Sequence, residues 1–278
     1  MIRIYKDTDG TILMERDGEW RTVAEFSLDA LFRQADPAAH AAAAFESGTQ
    51  QQQAVSAGAW AAPIGNQEVW AAGVTYYRSR EARMEESEAS GGDRFYNMVY
   101  DAVRPELFFK ATAARTRGHL APVRVRADSN WDVPEPELTL AINSAGKVFG
   151  YTIGNDMSSR EIEGENPLYL PQAKVYRGSC AIGPALTIPD APLPGTTVIH
   201  LEIYRGGEMI FTGETAIDQI KRGFDELAGF LFTENEFPDG AFLMTGTGVV
   251  PGDGFTLQSG DVIRISIDGL GTLENPVE

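Results

Sequence analysis

The stretch from Trp131 to Ile142, Trp-Asp-Val-Pro-Glu-Pro-Glu-Leu-Thr-Leu-Ala-Ile, constrains the fold most, because it sets two carboxylates into an otherwise apolar β-run. Residues i and i+2 of a strand share a face, so Glu135 and Glu137 stand side by side. Asn143-Ser-Ala-Gly146 reads as a hairpin turn, followed by a second strand over 147–153. A turn centred near residues 144–145 brings residue 135 opposite 154 or 155, with Asp156 one step beyond. Three carboxylates then converge. Packed together they repel and raise one another's pKa unless a divalent cation neutralises them. An all-oxygen set favours Mg2+, with Mn2+ or Ca2+ as substitutes. Pro134 and Pro136 each lack a donor, which speaks against an ordinary ladder strand at that point.

The rest of the chain reads as β-rich with a few helices, an α+β pattern rather than the regular alternation of a doubly wound sheet. A turn at Asp7-Thr-Asp-Gly10 separates short strands at 2–5 and 12–15. Ser27 is placed to cap a helix carrying Leu28, Leu31 and Phe32. From Pro37 to Pro63 the sequence is rich in alanine and glutamine, which predicts a loosely packed connector. That connector divides a small β-rich N-terminal domain, residues 1–65, from a main domain at 66–278. An acidic helix is expected over 78–89. A second, amphipathic one is expected over 216–232, with Ile217, Ile220, Phe224, Leu227 and Leu231 on one stripe. Near the end, Ile263, Ile265 and Ile267 alternate with polar residues as a strand does.

Composition narrows the function. The 278 residues contain one cysteine, Cys180, so a disulfide framework and a cysteine metal cluster are excluded, and Cys180 reads as a small buried hydrophobe. The three histidines are scattered without ligand spacing. A formal charge of −17 repels phosphate backbones and argues against a nucleic-acid partner. No run approaches the roughly 18 apolar residues of a membrane span. With no apolar targeting core at the start, a cytoplasmic protein that handles a small molecule is expected.

Glu135-Pro-Glu137 followed by Gly150-Tyr-Thr-Ile-Gly-Asn-Asp156-Met-Ser-Ser-Arg160 resembles the signature of the fumarylacetoacetate hydrolase family. Lys174-Val-Tyr-Arg-Gly-Ser-Cys-Ala-Ile-Gly-Pro184 is similar to that family's lysine segment. Thr245-Gly-Thr247-Gly is similar to its Thr-Gly-Thr-Pro loop, with Gly248 where proline is usual, and Ser259 to Val277 to its C-terminus. The resemblance implies a catalytic domain built as a mixed β-sheet roll. It implies a divalent metal on Glu135, Glu137 and Asp156, chelated by a 2-oxo acid. It also implies substrate contacts from Lys174 and Thr247, support from Arg160, and a homodimer or a homotetramer built from dimers.

Hydrolytic members carry Gly-Leu-Asn-Tyr-x-x-His and a following glutamate, a pair that activates water. Here the matching stretch is Gly73-Val-Thr-Tyr76-Tyr-Arg78-Ser79-Arg-Glu, with Ser79 at the histidine position. A serine hydroxyl is no base near pH 7 without a partner, whereas histidine is. The variant is similar to the family's sugar-acid dehydratases. That implies conversion of a 2-keto-3-deoxy-D-pentonate, of arabinonate or xylonate type, to 2,5-dioxopentanoate. Such a reaction needs no activated water, because the metal acidifies the C3 hydrogens by stabilising the enolate. Glu106 and Lys174 are the candidates for proton transfer at C3 and at the C4 hydroxyl. Arg78 and Ser79 are candidates for contacts with the distal hydroxyls, while Lys110 and Tyr76 read as scaffold. Two other readings compete. An acylpyruvate hydrolase or oxaloacetate decarboxylase of the same family is disfavoured by Ser79. A non-catalytic 2-oxo acid binding protein is disfavoured by the run of acid, lysine and Gly-Thr segments.

Overall fold

The computed structural model describes residues 1–51, 58–77 and 98–278, so the helix expected over 78–89, with Arg78 and Ser79, lies outside the described residues. At the N-terminus, β1 (Ile2–Asp7), β2 (Ile12–Arg16) and β3 (Glu19–Thr22) form a meander, joined by β4 (Thr49–Gln50) and β5 (Trp60–Ala61). Then come β6 (Glu68–Gly73), β7 (Glu106–Thr112) and β8 (Thr116–Arg117). The expected hairpin follows as β9 (Asp132–Ile142) and β10 (Val148–Ser159), with β11 (Cys180–Ile188) beside it. The hairpin β12 (Val198–Arg205) and β13 (Glu208–Ala216), the short β14 (Ala241–Met244), and β15 (Val262–Ile267) with β16 (Gly271–Pro276) complete the strands.

The large sheet runs β4-β3-β2-β1-β11-β10-β9-β14-β6-β7, with parallel pairing between β14 and β6 and antiparallel pairing elsewhere along this path. From β7 the chain makes one short turn, Ala113–Arg115, and β8 pairs parallel to β11. The sheet thereby returns to its own middle. This is the mixed roll expected of the main domain, an α+β fold. Alternation along the strands divides its two faces. Leu138, Leu140, Ile142 and Ile153 pack with the four-stranded sheet β13-β12-β15-β16, through Ile199, Leu201, Ile203, Ile263 and Ile265. Ala141, Ile182, Phe242 and Met244 share the opposite core with Ile4, Met14, Leu31, Phe32 and Phe45 of the N-terminal elements. No helix among the described residues is long and apolar enough to cross a membrane.

Four expectations need correction. First, Ile142 pairs with Val148 but Ala141 pairs with Gly150, so Phe149 is an extra residue, a β-bulge. It advances the register by one, and Glu135 faces Asp156 directly instead of residue 154 or 155. Second, Pro134 and Pro136 do lie in a ladder strand. The carbonyls of Asp132 and Leu138, on the same edge of β9, bond to Leu257 and Thr245 rather than to β10. The prolines' missing donors therefore point to an edge that β14 no longer pairs, where they cost no ladder bond. Third, the alanine-rich stretch contains helix α2 (Pro37–Ser47), capped by Asp36, after α1 (Leu28–Phe32), capped by Ser27 as expected. Ala41 and Phe45 bury into the core, which fixes it tertiarily despite a weak sequence stripe. Fourth, residues 216–232 are a short 3-10 turn at Ile217–Gln219 and a separate helix beginning at Phe224. Lys221 N–H is drawn to the Thr75 carbonyl, and Gly223 is extended, so one helix cannot run through.

Phe32 joins the N-terminal elements to the bulge. It is fully buried, with its ring 4.8 Å edge-on from Phe149 and 5.1 Å from Phe242. Phe32→Ala should lower the unfolding free energy by about 3–5 kcal/mol, read as a fall in the urea midpoint followed by circular dichroism.

Candidate metal centre

The bulge decides the centre. Without it Asp156 would point to the opposite face of β10, since one step of register exchanges the two faces. With it, Glu135, Glu137 and Asp156 emerge on one face, and a carboxylate oxygen of each lies within 4.8 Å of the others. All three side chains are buried. Burial and the neighbouring Asp156 and Glu135 charges push the Glu137 carboxyl well above its ordinary value. A compact set of hard oxygen donors that repel one another is suited to a divalent cation of the Mg2+ or Mn2+ class.

Three cationic heads enclose the acids. Lys174 Nζ lies 2.6 Å from Glu135 Oε2, 3.3 Å from Asp156 Oδ2 and 2.6 Å from Ser158 Oγ. Arg160 reaches Glu135 Oε1 at 2.7 Å and Glu163 at 3.5 Å. Lys110 pairs with Asp156 Oδ1. Local structure explains the placement of the first two. Ser159 ends β10 and caps helix α3 (Arg160–Glu165), accepting from Ile162 N–H, which puts Arg160 and Glu163 at i and i+3 on one side. Helix α4 (Leu170–Lys174) then ends at Lys174 and returns its head to the carboxylates.

The loop after β14 completes the wall. Gly246 N–H donates to Glu137 Oε2 at 2.6 Å, and the Thr245 hydroxyl and N–H both donate to Leu138 O. Gly246 has φ +88°, and a Cβ there would lie 2.1 Å from Thr75 Oγ1, so both conformation and space require glycine. Thr75 Oγ1 in turn donates to the Thr245 carbonyl at 2.6 Å. Glu106 opens β7, on the same strand face as Phe108, and the Phe108 ring lies 5.7 Å from Lys174 Nζ, while Lys110 is the extra residue of a β-bulge between Phe109 and Ala111. Its carboxylate occupies the space over Gly73, where a Cβ would come within 1.9 Å of Oε2.

The structure thus brings together Glu135, Glu137, Asp156, Lys174 and Arg160, and sets Glu106 over Gly73 on the strand face of Phe108. Thr247 sits one residue past Gly246, its hydroxyl donating to Val249 O at 3.0 Å. Arg78 and Ser79 lie outside the described residues. His119 Nδ1 accepts the Glu274 N–H, and burial holds its pKa down. Cys180 is buried, its thiol pushed up to about 12 by desolvation, as a small hydrophobe. Lys110 and Glu163 are the residues that sequence reasoning missed. Lys110 read as scaffold, and the bulge that interrupts alternation at that residue removed the periodic signal that might have placed it.

Residues 69–278 match the family described as Fumarylacetoacetate (FAA) hydrolase C-terminal. A Haloferax volcanii protein, "Probable 2-keto-3-deoxyxylonate dehydratase", is 49% identical over 216 residues, covering 77% of this chain and 73% of that protein. The "2-dehydro-3-deoxy-D-arabinonate dehydratase" of Saccharolobus solfataricus is 45% identical over 218 residues, covering 78% and 73%. A solved structure of 2-keto-3-deoxy-D-arabinonate dehydratase complexed with magnesium and 2,5-dioxopentanoate superposes with a TM-score of 0.81 at 34% identity, covering 100% of this chain and 99% of that one.

The raised Glu137 pKa has a consequence for metal-free protein. A carboxyl whose folded pKa exceeds its unfolded value stabilises the fold below the unfolded pKa, and that contribution is lost as pH rises through the folded one. In chelator, the unfolding free energy of Glu137→Gln relative to the parent should therefore grow as pH rises above about 4.5, the ordinary glutamate value. Added Mn2+ should restore the parent and leave the variant unmoved. Urea titrations from pH 4.5 to 8 measure both.

Proposed function

The chain belongs to the fumarylacetoacetate hydrolase family, and we propose that it is a Mg2+-dependent dehydratase converting a 2-keto-3-deoxy-D-pentonate, of arabinonate or xylonate type, to 2,5-dioxopentanoate. The observation that carries this reading is the buried triad with its charge balance. Four carboxylates, Glu135, Glu137, Asp156 and Glu163, share the region with three cations, Lys110, Lys174 and Arg160, and Glu106 as a base adds a fifth, leaving an excess of two negative charges. Glu135, Glu137 and Asp156 would hold the Mg2+, which would cancel that excess, so that the pocket no longer repels an anionic 2-oxo acid. Bound there, the ion supplies Lewis-acid polarisation of the substrate's 2-oxo group, which acidifies the hydrogens on C3.

The remaining roles fall to side chains. Arg160 and Lys174 hold Glu135 from its two oxygens and fix its orientation. Glu106, at the start of β7, takes the C3 proton. Lys174 donates toward the C4 hydroxyl, so that the C3–H and C4–O bonds break, C3=C4 forms and one water leaves. Hydrogen shifts from C5 to C3 and from the C5 hydroxyl to C4 then give the aldehyde. Thr247, beside the Gly246 loop, and Arg78 and Ser79 contact the substrate. This reading takes the protein as a cytoplasmic homodimer or homotetramer. It takes residues 1–65 as an accessory domain beside a catalytic domain at 66–278, a division supported by the family match opening at residue 69.

Purified protein with Mg2+ should dehydrate a ketodeoxypentonate and cleave acylpyruvates little. Chelator should abolish turnover and Mg2+ or Mn2+ restore it. Glu106→Gln should lower kcat by roughly 10²-fold, the scale for losing a positioned acid or base. Rapid acylpyruvate cleavage beside an inert ketodeoxypentonate would overturn the reaction, and near-normal turnover by Glu106→Gln would remove that residue from it.

A further inference from the structure

We propose that Lys110 is a positioning residue that couples Asp156 to Lys174 across the closing seam of the roll, so that the two act as one unit. The proposal rests on the reading that Asp156 is a metal ligand and that Lys174 faces substrate. Lys110 is fully buried, among the largest side chains that are. An ammonium has three donors and no acceptor, and here three acceptors meet it. They are Asp156 Oδ1, the Met157 carbonyl at 2.9 Å and the Lys174 carbonyl at 2.5 Å. Those acceptors come from β10 and from the end of α4, while Lys110 comes from β7, four strands away along the sheet path.

The Lys174 carbonyl is the last of its helix, where α4 gives way to an extended Val175 and the final carbonyls turn to groups outside the helix. Lys110 satisfies it. The Lys174 ammonium meanwhile lies 3.3 Å from Asp156 Oδ2, the other oxygen of the carboxylate that Lys110 holds. The contacts therefore close a ring, from Lys110 to Asp156, to the Lys174 head, through its own side chain to its carbonyl, and back. Each Asp156 oxygen has its own lysine, which leaves the carboxylate one orientation. Loss of the Lys110 head would free Asp156 and the end of α4 together. Methionine would fill a similar volume with no donor, so it removes the ring without opening a large cavity.

The test uses the full chain stripped of metal, with Lys110→Met, Lys174→Met, the double variant, and Phe45→Ala as a destabilised control in the N-terminal core, remote from the ring. Mn2+ titrations followed by electron paramagnetic resonance should show a Kd raised about 10–100-fold in Lys110→Met, the usual effect of losing a partner that orients a metal ligand. Phe45→Ala should lower the melting temperature and leave the Mn2+ Kd within about twofold, separating orientation from general stability. With saturating Mg2+, Lys110→Met should lower kcat about tenfold or more in the parent. In the Lys174→Met background the further loss should stay below about threefold, because residues acting through one another are not additive. A Lys110→Met Kd within twofold of the parent, or multiplicative losses in the double variant, would overturn the proposal. Should Lys110→Met fail to fold, Lys110→Gln, read by the same Mn2+ titration, decides in its place. If the parent turns over no 2-oxo acid, the proposed reaction fails, while the Mn2+ arm still judges Lys110.

Discussion

Seven charged side chains share one buried region among the described residues, and the rest of the fold is arranged so that six of them meet an opposite charge while Glu137 accepts from Gly246 N–H. An isolated buried charge is too costly to keep, and breaking one partner of a buried pair commonly costs several kcal/mol. The partners are far apart in sequence. Acids come from β9, β10 and α3, and cations from β7, α3 and the end of α4. Only a sheet that curls back upon itself brings β7 to the end of β10, and the pairing of β8 with β11 achieves that return. The roll is thus the topology that lets the charges balance, and the apolar cores on its two faces supply the stability against which their desolvation is set.

Much of the centre was legible because its acids lie on one hairpin. Glu135 and Glu137 share a face by the period of a strand, and the turn at Asn143–Gly146 brings the second strand alongside. What the sequence did not disclose was the bulge. Phe149 looks like any apolar strand residue, and outside the ladder its ring packs against Phe32, which belongs to a distant helix. That one residue decides whether Asp156 or Asn155 faces the glutamates. The prolines misled for a related reason. Their cost depends on whether the edge they face is paired, and β14 ends just before reaching them.

Lys110 and Glu163 were illegible for a different reason. A lysine after Leu-Phe-Phe, or a glutamate in a short acidic helix, has no local feature that separates surface from interior. Their burial comes from closure of the roll and from the cap at Ser159, both non-local to the residue itself. Helix α2 follows the same logic. An alanine-rich run has high helical propensity and little stripe, so tertiary contacts at Ala41 and Phe45 decide its fate. Glycine, in contrast, could have been informative. Gly73 leaves the space that the Glu106 carboxylate fills, and Gly246 supplies both the positive φ and the N–H that reaches Glu137.

The charge balance also orders the events at the site. With negative charge in excess, the metal-free pocket repels a 2-oxo acid and attracts a dication, and burial with the same neighbouring charges holds the Glu137 carboxyl well above its ordinary pKa. A dication cancels that excess, so the anion is admitted second. The whole chain carries a formal charge of −17, which adds to the repulsion of an anionic substrate from any site that is not locally positive. Selection of substrate therefore begins with the metal, and Lys174, Arg160 and Lys110 are needed to keep three acids from over-neutralising it. Were those cations absent, four carboxylates would leave the loaded pocket negative, and a strongly held metal would still face an excluded substrate. The three buried basic residues are accordingly part of substrate binding as well as of stability.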